Sequence, residues 1–220
     1  MENNKTIVKD VELPFFEGFY NSSYDSLSDW ALEDELEYYT KECHKDITID
    51  DLDFNFKSFS HDIVEIFTDI FKDNVPSWVE KVENPELDSP KFYNFRTDKI
   101  YATVTLKDNW REQIAEFVKT NSNWLEKRIK QDWTSRSGFD SWIHNDIGTF
   151  MENVYEAEPR YISIIMQYAM ELENEGEDMY EWMTEHTIEE FEMNNCANEY
   201  VILTKDEKES NDNETTNDNV

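Results

Sequence analysis

From Thr6 to Leu13 apolar residues alternate loosely with polar ones, around Ile7, Val8, Val11 and Leu13, which predicts a strand stopped by Pro14. The aromatic run Phe15-Phe16-Glu17-Gly18-Phe19-Tyr20 follows, with Gly18 permitting a tight turn. Ser26 or Ser28 can cap a helix reaching Tyr39, with Trp30, Leu32 and Leu36 near its apolar side and Asp29, Glu33, Asp34, Glu35 and Glu37 outside. Asp46 to Asn55 reads as a turn or short strand. Ser60 is placed to cap a helix carrying Ile63, Val64, Ile66, Phe67, Ile70 and Phe71, which ends near Pro76. A strand is expected at Trp78 to Val82 and a loop between Asn84 and Pro90. Strands are expected again from Phe92 to Leu106, where Ile100, Ala102, Val104 and Leu106 alternate with Tyr101, Thr103 and Thr105.

The period turns helical after Asp108. Trp110, Ile114, Phe117 and Val118 make one stripe; Trp124, Leu125, Ile129 and Trp133 make the next. Ser135-Arg136-Ser137-Gly138 breaks it. Helices follow near 139–156, 159–174 and 178–194, parted by Pro159 and Gly176, and Tyr200 to Leu203 reads as a last strand returning to the sheet. Past Thr204 the chain is polar and acidic until Val220, as in a disordered tail. The predicted fold is α+β: a small, mostly antiparallel sheet with a predominantly helical C-terminal half. It is read as a single domain over residues 1–204, with a sub-boundary near 84–90, and a tail over 205–220.

Charge changes this picture most. The chain has 51 acidic and 20 basic residues, a net of −31. An aromatic content of 15% separates it from disordered acidic chains, which are poor in rings, so it is expected to fold. The charge is segregated: residues 1–90 carry −16, residues 91–136 carry +4, and residues 137–220 carry −19. Such a surface repels phosphates and anionic lipid and favours a cationic partner. No direct nucleic-acid binding, no membrane association and a cytoplasmic location are therefore expected, in keeping with an N-terminus that lacks an apolar leader. Cys43 and Cys196 are read as reduced thiols, and a homodimer is left open.

Motif chemistry is sparse. His44, His61, His144 and His186 form no metal-ligating helix motif. Cys43-His44 with Cys196 and His186 would make an irregular zinc set, and is set aside. Asp50-Asp51 and Asp53 start like a calcium loop but lack its glycine. Four glycines cannot build a phosphate-cradling loop. The stretch from Gln131 to Trp142, with His144 and Asp146 beyond it, is the most site-like. Caps and aromatic staples at a helix junction explain it without a reaction. No enzyme, cofactor or metal is expected; the enzymatic alternative would centre on Arg136, His144 and Asp146.

Two stretches carry a resemblance. Leu13-Pro14-Phe15-Phe16-Glu17-Gly18-Phe19-Tyr20-Asn21-Ser22, and Thr134-Ser135-Arg136-Ser137-Gly138-Phe139-Asp140-Ser141-Trp142 with Asn145-Asp146, resemble small acidic proteins of bacteriophages and mobile elements. Phe92 to Asp98 is compatible with the same pattern. The resemblance implies a phage or mobile-element origin and defines no activity.

Within that setting the charge suggests a DNA mimic or anti-defence inhibitor that binds a basic host protein, such as a nuclease or defence complex. Duplex DNA carries one charge per about 1.7 Å, so the net charge matches roughly 50 Å of duplex, close to the expected ~45 Å diameter of the chain. Partner-binding residues are expected on outer helix faces: Asp29, Glu33, Asp34 and Glu37, then Glu171, Glu173, Glu175, Glu177, Asp178, Glu181, Glu185 and Glu189. A virion-associated or assembly protein is the main alternative.

Overall fold

The computed structural model describes residues 5–13, 21–83, 99–135, 147–174, 179–194 and 196–204. The expected loop at 84–90, the segment 92–98, the junction around Arg136, His144 and Asp146, and the tail lie outside these residues. Within them the α+β architecture holds. Strands β1 (Thr6–Glu12), β4 (Tyr101–Leu106) and β3 (Val79–Glu83) form an antiparallel sheet in the order β1-β4-β3. Strand β2 (Leu52–Phe54) pairs with β5 (Val201–Leu203) in a separate antiparallel sheet. The expected return of the last strand is thus to β2. Its partner is set by the Asn55 N–H bond to the Tyr200 carbonyl (2.8 Å) and the Thr204 N–H bond to that of Asp51 (2.9 Å).

Why β1 buries Val8, Val11 and Leu13 is a question of register, because strict alternation would put Val8 and Val11 on opposite faces. The pairing with β4 shifts between Val8 and Val11, and Asp10 sits at φ 57°, so a bulge returns both valines to the core. On central β4 the alternation is regular. Ile100, Ala102, Val104 and Leu106 are buried while Tyr101 faces out. Ser163 then donates to the Glu12 carbonyl at 2.6 Å, which fastens helix α5 (Pro159–Glu173) to the end of β1.

Helix α1 (Asn21–Glu37) begins several residues before the expected serine caps and passes into a π-helical turn, Tyr38–Glu42. Among its described side chains Ser28 and Ala31, three residues apart, are buried, and Trp30 points outward, 53% exposed. The small residues permit close approach; Leu32 of the expected stripe packs against the core, as does Leu27, and Trp30 is the member turned away from it. Helix α2 (Phe56–Asp73) is capped by Asn55, whose side chain accepts from the Ser58 N–H, and not by Ser60. Ser60 lies buried inside the helix and bonds back to the Phe56 carbonyl.

The two stripes after Asp108 belong to one long helix, α3 (Trp110–Ser135), kinked at Asn121 (φ −113°, ψ 17°). The Asn121 side chain donates to the Phe117 carbonyl, supporting the bend. Helices α4 (Ile147–Tyr155) and α6 (Met179–Asn194) complete the set, and α4 ends in a turn with Ala157 at φ 60°. One continuous core unites these elements. Phe59 is fully buried at the meeting of α2, α6 and β2, edge-on to Phe54 (5.2 Å), Phe191 (5.0 Å) and Tyr200 (5.4 Å).

Candidate functional site

Helices α1 and α6 belong to the two acidic arms of the sequence, and their exposed carboxylates follow the same spacing. On α1, Asp29, Glu33 and Glu37 recur every fourth residue, and so do Glu181, Glu185 and Glu189 on α6; all six are exposed. Residues four apart share a helix face, so each helix carries a carboxylate ladder with one charge per about 6 Å of axis. Like charges at this spacing disfavour the helix by about 0.2–0.5 kcal/mol per pair. Each ladder therefore costs its helix some local stability. Lys41 forms an ion pair with Glu37 and partly offsets the first ladder.

The helices flank a shared depression. Leu27 and Trp30 from α1, Ile188, Phe191 and Glu192 from α6, and Cys196 and Ala197 after α6 line a groove of about 650 Å³. The arrangement follows from packing. Helix α6 lies against α2, whereas α1 lies against the 3-10 turn Ala197–Tyr200 and the β2–β5 sheet. Phe191, fully buried, and Ala197 remain as floor between them. Asn198 in that turn donates to Asp34 at 2.6 Å, holding α1 beside the segment that leaves α6.

The remaining expected contacts are placed differently. Glu171 on α5 faces inward, with only 16% of its side chain exposed. Arg128 of α3 grips it with two bonds, Nε to Oε2 at 3.0 Å and Nη2 to Oε1 at 3.1 Å, and Gln167 adds a third. It works as an internal tie between α3 and α5. Glu173 is exposed, and desolvation nevertheless raises its pKa above the ordinary carboxylate value. Glu175, Glu177 and Asp178 lie outside the described residues.

The residues of the zinc set that was put aside are seen singly. Cys43 and Cys196 are both free and exposed. His186 stacks on Trp182, ring centroids 4.0 Å apart. The one group of three ligand-type side chains among the described residues is His61, Asp62 and Glu65 on α2, their ligand atoms within 4.8 Å of one another. The signal was in the sequence, since His61 and Glu65 are four apart. The Tyr200 hydroxyl donates to Asp62 Oδ2 at 2.5 Å, so one carboxylate oxygen of the group is already engaged. Two acidic residues of the calcium-like stretch have structural roles: Asp51 accepts from the Thr48 N–H, and Asp53 from that of Phe54.

Among the described residues no helix is long and apolar enough to cross a membrane. Comparison with protein-family models, with curated proteins and with solved structures finds no match.

Proposed function

We propose that this chain is an acidic interaction protein that binds and inhibits a basic, DNA-handling host protein through the surface formed by α1 and α6. The observation that carries the reading is the pair of carboxylate ladders, one from each acidic arm, on helices that flank one groove. A partner lined with Lys and Arg, whose natural ligand is nucleic acid, would meet fixed carboxylates where it normally meets phosphates. The resemblance to small acidic phage and mobile-element proteins supports a host nuclease or defence complex as that partner.

The test is affinity capture from a bacterial lysate at about 100 mM and 500 mM salt, with and without competing duplex DNA. A DNA-binding protein that is retained at low salt and displaced by duplex or by high salt supports the reading. Capture indifferent to both, or capture of capsid and tail proteins, overturns it in favour of a role in the particle.

A further inference from the structure

Two ladders side by side supply at most one charge per about 3 Å of axis, against one per about 1.7 Å in duplex DNA. Carboxylates in this number are a dilute copy of a phosphate backbone, so charge alone makes a weak and indiscriminate decoy. What the ladders have beside them, and DNA lacks, is the apolar groove. We infer that the groove between α1 and α6 is the anchoring site for a cationic amphipathic helix of the partner. Its apolar side chains enter between Trp30 and Ile188, and its Lys and Arg side chains meet Glu33, Glu185 and Glu192. This inference rests on the reading of the acidic surface as a partner-binding face.

Several observations select this occupant. Among the described residues the lining is apolar apart from Glu192 and the Cys196 thiol, and its volume of about 650 Å³ lies within the range of natural ligand pockets, about 300–1,000 Å³. Trp30 stands 53% exposed at the rim, the residue type most enriched at binding hot spots. None of the described lining residues belongs to a strand, so an extended peptide would find no ladder of backbone bonds on them and would leave its own amides unpaired. A helix satisfies its own backbone and presents anchors three and four residues apart to a trough between two helices. A second copy of this chain is disfavoured, since a symmetric contact would set one acidic rim against another in molecules each carrying −31.

The experiment uses the full chain with two synthetic peptides of identical Leu and Lys composition. One places Leu at helical spacing, and the other is scrambled. Fluorescence anisotropy gives each affinity in wild type and in Trp30→Ala, whose half-exposed site leaves the core untouched. In a Cys43→Ser background, Cys196 is the single thiol, and its rate of alkylation reports occupancy of the groove independently of Trp30. The inference expects the amphipathic peptide to bind at least about tenfold tighter than its scramble, to slow Cys196 alkylation, and to lose that advantage in Trp30→Ala. Equal affinities with an unprotected thiol overturn the groove while leaving the acidic surface as a charge-driven binder. Failure of both peptides to bind at low salt overturns the groove and the function proposed above together.

Discussion

Arg128→Ala should separate the internal acids from the external ones. The guanidinium makes two bonds to Glu171, in a pair whose side chains are 25% and 16% exposed. An exposed pair is worth about 0–1 kcal/mol, and breaking a buried one costs about 3–5 kcal/mol. This pair lies between those limits and keeps some solvent screening. A loss of about 2 kcal/mol is expected for Arg128→Ala, because the carboxylate stays half-buried in a chain of net charge −31. Contact of the guanidinium with the Tyr168 ring, 5.9 Å to its centroid, adds a little. In a molecule of this length such a loss lowers Tm by roughly 4–8 °C. Glu171→Gln should cost less, since its amide still meets Gln167 and leaves no anion behind. Urea unfolding of both variants and of the double variant closes a thermodynamic cycle, with an expected coupling of about 1–2 kcal/mol. A coupling near zero would refute the internal tie and return Glu171 to the acids open to a partner.

Three further expectations follow from the fold. Ala157 holds φ 60° in the turn after α4, where the Glu158 N–H reaches the Asn153 carbonyl and the Ala157 N–H that of Val154, so Ala157→Gly should stabilise by about 1 kcal/mol in urea unfolding; a loss would contradict the strain. Phe59→Ala should cost about 3–5 kcal/mol, because three edge-on ring contacts and the support under Phe191 go together, and circular dichroism against urea measures it; a cost below about 1 kcal/mol would show that the cluster can collapse. Glu173 has a raised folded-state pKa from desolvation, so its stabilising contribution is complete below the unfolded value and is lost as pH rises through the folded one. Glu173→Gln should therefore raise Tm at neutral pH and lose that advantage in the acid range; a variant less stable than wild type at neutral pH would reverse the assignment.

The strands and the later helices were legible because their burial comes from local periodicity. Ala102, Val104 and Leu106 alternate, and the apolar residues of α2 and α5 recur with helical period. What escaped depended on contacts between distant segments. The bulge at Asp10 lets Val8 and Val11 share a face, a solution visible only once β4 is in place. Strand β5 is three residues long and could pair with either sheet by its own pattern. Its partner is fixed by backbone bonds from Asn55 and Thr204 that join segments about 150 residues apart. Asn55 and Ser60 are both acceptable caps by type. The choice fell to the residue that begins the helix nearer β2 and frees Ser60 to be buried.

For the candidate site, composition and position separate cleanly. That α1 and α6 carry outward carboxylates was readable from residue type, because an unpaired carboxylate is costly to bury. That the two helices border one groove was not, because nothing in either helix encodes the 3-10 turn that places them, or the Asn198 bond to Asp34. Glu171 illustrates the converse. By sequence it belongs with Glu173 and the acids that follow, and its engagement by Arg128 comes from a helix 43 residues away. Trp30 shows why the distinction matters for function. Its type and spacing nominate it for the core, but the small residues Ser28 and Ala31 occupy the packed face and rotate the indole to the rim. An aromatic ring displaced from the core, between two charged ladders, gives a binding surface its hydrophobic centre and its polar rim at once.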